Sequence, residues 1–214
     1  MDLFSESCPS CGRASPAGFC SFCIARFRRL GRACRICALP LPVTLCPRMS
    51  SWQLDFLIAP FAYAPPLDEF VLALKYRGAR RYGRALGLLL AAEPRTLPAV
   101  DALVPMPLHP RRLRERGYNQ ATEIARVLAR ALGTPLLVRS LRRTRSTPPQ
   151  AGASAEARRR NVAGAFSVSR ALTGMKLAIV DDVVTTGATV NALAGALICA
   201  GATSVGAWAV ARTL

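Results

Sequence analysis

The segment IVDDVVTTGATV, Ile179 to Val190, holds the only adjacent pair of aspartates in the chain, followed after two valines by two threonines and a glycine. Leu177 to Val180 read as a short buried strand, and Thr185 to Thr189 as a small-residue turn before a helix. Backbone N–H groups at such a turn lie at the positive end of the helix, a geometry that holds phosphate. Two carboxylates beside a phosphate repel it unless they meet hydroxyl donors or a metal ion carried by the same ligand. A sugar phosphate supplies both, which makes Asp181 and Asp182 candidate catalytic residues. The plain alternative is that they only cap and solvate the entry of a helix.

A second chemistry-bearing pattern lies near the N-terminus. Seven of the eight cysteines fall between Cys8 and Cys46, in C-x2-C pairs at Cys8/Cys11, Cys20/Cys23 and Cys34/Cys37, with Cys46 alone. A shift of 26 residues carries the first four onto Cys34, Cys37, Cys46 and Met49, so the stretch reads as a duplicated unit with its last ligand missing. Four thiolates in two such turns suit tetrahedral zinc, and a segment this short cannot order itself without a staple. Structural zinc is therefore expected on Cys8, Cys11, Cys20 and Cys23, with disulfides as the rival in an oxidising compartment. Cys34, Cys37 and Cys46 are candidate ligands of a second site, whose occupancy Met49 puts in question. Cys199 is expected to be a small buried hydrophobe.

The surrounding composition limits what kind of protein carries these patterns. Hydrophobic residues make up 51% of 214 residues and charged ones 19%, enough for a folded core and unlike a disordered chain. The net charge of +17, almost all from arginine, favours phosphate, nucleic-acid or acidic-lipid partners without naming one. The uncharged run Val183 to Ala211 is interrupted by Thr185, Thr186, Asn191 and the Gly201–Ser204 break, so no membrane span is expected. With acids and no apolar stretch at the N-terminus, a secretory signal is not expected either, and the protein is assigned to the cytoplasm.

The elements that must position these residues divide near Ser50, into a cysteine-rich module (1–50) and one α/β domain (51–214). Phe56–Ala64 has strand composition, and Asp68–Ala92 reads as helical. Its basic residues, Lys75, Arg77, Arg80, Arg81 and Arg84, read as a solvated helix face and loop at least as readily as a binding surface. Asp101–Pro107 is a buried strand that stops at its prolines. After LHPRRLRERGYNQ a helix is capped by Asn119 and ended by Gly133, and Pro135–Val138 is a short strand. KLAIVDD, the helix Thr189–Ala200 and the final TSVGAWAVA form a strand, helix, strand unit of the kind that makes parallel sheets. Ligands of such sheets bind beyond the carboxyl ends of the strands, where Asp181 and Asp182 fall.

On these residues the chain resembles a known family. IVDDVVTTGAT is similar to the phosphoribosyl pyrophosphate (PRPP) motif of type I phosphoribosyltransferases. The ComF (ComFC) family in particular is matched by the N-terminal cysteine pairs, FAY, LKYRG, VPMPLHPRRLRERGYNQ, TPPQ and RRRNVAGAF. The resemblance implies a phosphoribosyltransferase-like parallel sheet with flanking helices behind a zinc finger, in proteins associated with DNA uptake in natural transformation. It implies that Asp181 and Asp182 hold the ribose hydroxyls, and that Val184, Thr185, Thr186, Gly187, Ala188 and Thr189 hold the 5-phosphate. Arg111, Arg112 and Arg116 are the implied partners of the pyrophosphate, and Arg142 to Asn161 a closing loop. PRPP with Mg²⁺, and competence-machinery proteins, are the partners that follow, and His109 is read as a loop residue. A rival reading makes the chain a non-catalytic single-stranded-DNA-binding accessory protein that keeps the transferase fold as scaffold or PRPP sensor. In it Phe19, Phe22 and Phe27 stack on bases beside Arg26, Arg28 and Arg29.

Overall fold

The computed structural model describes residues 7–16, 18–42, 46, 52–93, 98–144 and 164–214. In chain order its elements are α1 (Ser21–Ile24), β1 (Phe56–Ile58), β2 (Phe61–Ala62), α2 (Leu67–Tyr76), α3 (Arg81–Ala91), β3 (Ala102–Pro105), α4 (Pro110–Arg116), α5 (Gln120–Leu132), β4 (Leu141–Arg143), β5 (Phe166–Val168), β6 (Lys176–Val184), α6 (Ala188–Cys199) and β7 (Ser204–Arg212). The main sheet has the order β1-β7-β6-β3, with β2 following β1 along the same edge of β7. All its pairings are parallel, as the strand, helix, strand reading requires.

Both faces of this sheet are covered, which is why β6 and β7 read as almost unbroken apolar runs. Ala178 and Val180, with Trp208 and Val210, face α2, α3 and α5. Leu177 and Ile179, with Val205, Ala207 and Ala209, face α6 and the antiparallel β4–β5 ribbon. α3 lies close against α5 because Gly87 has no side chain: a Cβ there would sit 2.8 Å from the Ile124 carbonyl oxygen.

The cysteine-rich segment packs into the first of these cores. Phe19 and Phe27, almost wholly buried, stack edge-to-face at 5.1 Å, and Phe19 reaches Phe70 of α2 at 4.9 Å. Leu30 donates to the Pro60 carbonyl and Ala62 to that of Arg28, so residues 28–30 run beside β2. Two of the three phenylalanines offered as base-stacking platforms are thus core residues. Phe22 alone is exposed, with the Arg13 guanidinium 5.0 Å over its ring.

Several expectations change in detail. Phe56–Ala64 is two short strands, because the chain bends at Ala59 and Pro60, and the helical material after it breaks around Gly78. The arginine-rich stretch after Pro107 contains a helix of its own. Its N-cap is His109, whose Nδ1 accepts from the Arg111 N–H, with Pro110 at the first helical position and Gly117 in the left-handed conformation at its end. Asn119 and Gly133 cap α5 as expected. Pro135–Val138 contributes one bridge, Leu136 to Leu103, instead of a strand. β6 runs four residues past Val180, so Asp181 and Asp182 lie inside a strand and not beyond it. Cys199 is exposed, because it falls on the outer side of α6, where Ile198 is also exposed. Ser50, Met49 and most of the expected closing loop, its residues 145–161, lie outside the described residues.

Candidate functional site

At the carboxyl end of the sheet β6 runs on past the end of β3, still paired with β7, and meets the turn into α6, opening a pocket of about 180 Å³. Asp181 and Asp182 stand in the same wall but on opposite faces of β6, because successive strand residues alternate. Asp182 points toward α2 and is 2% exposed. Its Oδ2 lies 2.9 Å from Nζ of Lys75, and its Oδ1 accepts from the Val183 N–H at 2.8 Å. Lys75 is therefore part of the site and not of a solvated helix face; the other basic residues of that stretch, Arg77, Arg80, Arg81 and Arg84, are exposed. Burial pulls the Lys75 ammonium down, but the charge of Asp182 and its hydrogen bond, with Asp181 behind, outweigh that and leave it above its ordinary range.

Asp181 takes the other role. Its carboxyl accepts from the Asp182 N–H at 2.9 Å and faces the pocket. Burial first, then the charge of Asp182, hold it well above the usual carboxylate range, with Lys75 opposing. One carboxylate is thus neutralised by a fixed cation, and its neighbour is left short of compensating charge. A ligand that brings hydroxyl donors or a cation would supply it.

The turn is shaped by a close contact that no local sequence pattern announces. Gly187, at φ +80°, caps the start of α6, and a Cβ there would lie 2.4 Å from the Trp52 ring. The Gln53 N–H donates to Asn191 Oδ1 at 2.5 Å, tying the same segment to the first turn of α6. Val184, Thr185, Gly187 and Thr189 line the pocket, while Thr186 and Ala188 are not among its wall residues.

Facing this wall are cations from α4 and β4. Arg112 and Arg116 line the pocket, and Arg116 lies 5.2 Å over the exposed Tyr76 ring and donates to Gln120 at 2.6 Å. Arg111 is turned elsewhere, to Glu115 one helical turn on at 2.8 Å. Arg143 is a further wall residue; burial first, then the charge of Arg112, lower its pKa, and Asp181 opposes. Nothing local in the sequence singles it out from Arg142. Two larger hollows adjoin: one of about 470 Å³ shares Lys75, Tyr76, Arg112 and Arg116. Another, of about 690 Å³, shares Pro107, Leu108 and Arg143.

The cysteines gather into two sets. The Sγ atoms of Cys8, Cys11, Cys20 and Cys23 all lie within 4.8 Å of one another, as do those of Cys34, Cys37 and Cys46. Cys11 and Cys20 are 3.6 Å apart, close to the edge of about 3.8 Å that four sulfurs make around a tetrahedral metal with 2.3 Å bonds. Burial pushes the Cys8 thiol up, but N–H donors from Cys20, Ser10 and Cys11 outweigh it and bring it to about 6. The same set holds Cys23 at about 12: a hydrogen bond with Ser10 lowers it, but burial and the three other thiols prevail. Four thiolates cannot ionise together without a cation among them, so the donor set fits a metal ion. The three-cysteine set fits one with a fourth position to fill.

The geometry accords with what comparison with known proteins finds. The phosphoribosyl transferase domain family matches residues 113–213. The chain is 35% identical to the DNA utilization protein YhgH of Salmonella typhi over 209 residues, covering 92% of this chain and 91% of that protein. It is 30% identical to competence protein F of Haemophilus influenzae over 203 residues, 91% and 84% of the two chains. Among solved structures, the glutamine PRPP amidotransferase of B. subtilis, complexed with ADP and GMP, aligns with a TM-score of 0.42 at 24% identity, over 60% of this chain and 26% of that one. The chain belongs to the ComF family of DNA utilization and competence proteins, with a type I phosphoribosyltransferase-like fold.

Proposed function

We propose that the pocket binds PRPP with Mg²⁺ and that a nitrogen nucleophile displaces pyrophosphate from the anomeric carbon. One observation carries this reading: the pocket sorts its charge, with carboxylates and small hydroxyl residues on the β6–α6 wall and Lys75, Arg112, Arg116 and Arg143 facing them. Asp181 accepts the ribose hydroxyls. Asp182, balanced by Lys75, keeps the end of β6 in place. Amides and hydroxyls of residues 185–189 hold the 5-phosphate, and Arg112 and Arg116 meet the pyrophosphate. In the displacement a bond forms from nitrogen to the anomeric carbon as the bond to the pyrophosphate oxygen breaks, its electron pair leaving with pyrophosphate. Asp181 and the threonine hydroxyls are hard oxygen donors of the kind magnesium prefers and would help to hold the ion, which would supply charge neutralisation at the leaving group.

Zinc is assigned to both cysteine sets. The names of the relatives support a role in handling DNA; a cytoplasmic location and partners in the competence machinery belong to the same proposal. A second reading, single-stranded DNA binding, is favoured by Tyr76, which is 72% exposed at the pocket mouth with Arg116 on its face. It requires salt-dependent binding that survives Asp181→Asn. For the first reading, calorimetric titration with PRPP should show saturable, magnesium-dependent binding that Asp181→Asn removes. Undiminished affinity in that variant would overturn the assignment.

A further inference from the structure

Arg212, the last residue of β7, is 2% exposed, and its guanidinium bonds to main-chain carbonyls of three separate segments. Nε donates to Cys37 at 3.0 Å. Nη1 donates to Val184 at 3.1 Å, to Thr185, and to Thr213 at 2.7 Å. Cys37 belongs to the three-cysteine set, and Val184 and Thr185 are the entry of the turn before α6. A single rigid fork therefore joins a metal-ligating knuckle to the proposed phosphate loop.

The link constrains direction as well as distance. In a planar trans peptide the C=O and the following N–H point opposite ways. Holding the Val184 and Thr185 carbonyls toward Arg212 turns the N–H groups of Thr185 and Thr186 the other way, and Thr185 is a wall of the pocket. At the far end of the fork, the knuckle is closed by Ala38, whose N–H donates to the Cys34 carbonyl at 2.8 Å and whose φ is +53°. A non-glycine residue holds that conformation only where its surroundings fix it. A metal on Cys34, Cys37 and Cys46 would fix the Cys37 peptide and with it the Nε end of the fork.

We propose that Arg212 is a positioning residue through which the metal state of the three-cysteine set controls the phosphate loop. Loss of that metal frees the Cys37 carbonyl, loosens the fork and lets the amide of Thr186 turn, and to a smaller extent that of Thr185, because the Thr213 N–H also holds the Val184 carbonyl at 3.1 Å. The amide half of the inference needs only the hydrogen bonds above, whereas its effect on affinity rests on the PRPP reading.

A double-mutant cycle on the full chain tests it, with Cys46→Ser, Arg212→Lys and both together. The readouts are zinc content, amide hydrogen exchange at Thr185 and Thr186, and calorimetric affinity for ribose 5-phosphate, which probes the phosphate end alone. Cys46→Ser should lose one zinc per chain, speed exchange at both amides and weaken ribose 5-phosphate about tenfold, a usual size for site-to-site coupling. In the Arg212→Lys background the same substitution should add little. Unchanged exchange after loss of the zinc, or effects that simply add, would overturn the proposal. If wild-type protein binds neither ribose 5-phosphate nor PRPP, the functional reading fails and the exchange measurement still decides the coupling. Should Arg212→Lys not fold, graded chelation of wild-type protein decides the coupling instead: exchange at both amides should quicken as the second zinc leaves, and exchange that stays constant would overturn it.

Discussion

The cysteine module and the β6–α6 pocket are both built on short motifs of fixed spacing, yet they are held in opposite ways. In the module, metal-ligand geometry and an aromatic cluster running from Phe19 and Phe27 to Phe70 and Tyr82 supply the cohesion, and its arginines mostly face outward. The pocket is instead held by buried charge: Asp182 against Lys75, with Asp181 left short of a partner. Apolar contacts, and a metal ion on cysteines placed to hold one, favour a single folded state. An incompletely balanced charge costs stability and leaves the site waiting for a ligand. Changes in the module should therefore act on folding, and changes in the pocket on binding.

The largest effect should follow Cys23→Ser. It removes a buried sulfur from the four-cysteine set, and structural zinc in small modules contributes about 10–16 kcal/mol of binding free energy. Loss of cooperative unfolding, followed by circular dichroism on heating, is the predicted result. An unchanged melting temperature would show that the aromatic cluster holds the module without its metal.

Next comes Lys75→Met, which leaves Asp182 buried without its cation and should cost about 3 kcal/mol in urea denaturation. Pairing it with Asp182→Leu should restore much of that stability but not PRPP affinity, separating the two roles within one ion pair. Smaller still is the contrast along α4. Arg112→Ala should lower PRPP affinity about tenfold through loss of a charge-assisted contact, whereas Arg111→Ala, bound to Glu115, should change it less than twofold.

The smallest effect is on pH dependence. Asp181 must be ionised to accept ribose hydroxyls, and its pKa is raised, so affinity should rise as pH climbs through the window above the ordinary carboxylate value of 3.8. Within that window binding should release a proton, visible as an enthalpy that varies with the buffer's heat of ionisation. The stability of the ligand-free protein should move the other way. The fold holds this proton more tightly than the unfolded chain, so stability falls as pH rises across the same window. Asp181→Asn should flatten both profiles.

How much of this is legible in the sequence depends on whether the signal is local. The cysteine spacing, the apolar runs of β6 and β7 and the caps Asn119 and Gly133 are local, and they stand much as read. The end of β6 is misplaced by sequence reasoning because a charged pair normally marks a strand's exit, whereas here pairing with β7 keeps the backbone extended through it and the buried charge of Asp182 is met by Lys75 from α2. That partner lies far off in the chain, inside a run of basic residues that otherwise are solvated. The α4 helix escapes notice because two prolines and five charged side chains between Met106 and Arg116 look like a loop, although Pro110 occupies the one helical position that tolerates it. Arg212 ends an apolar run and resembles a strand's solvated tail; only the approach of Cys37 and Thr185 in space reveals the carbonyls it binds.

The central claim is that ribose, 5-phosphate and pyrophosphate divide among Asp181, the turn before α6 and the α4 arginines. A crystal structure of the protein with PRPP and magnesium tests it most directly. The account predicts the ribose hydroxyls at Asp181, the 5-phosphate against residues 185–189 and the pyrophosphate beside Arg112 and Arg116. PRPP seated instead in the larger hollow beyond Leu108, with Asp181 untouched, would contradict it.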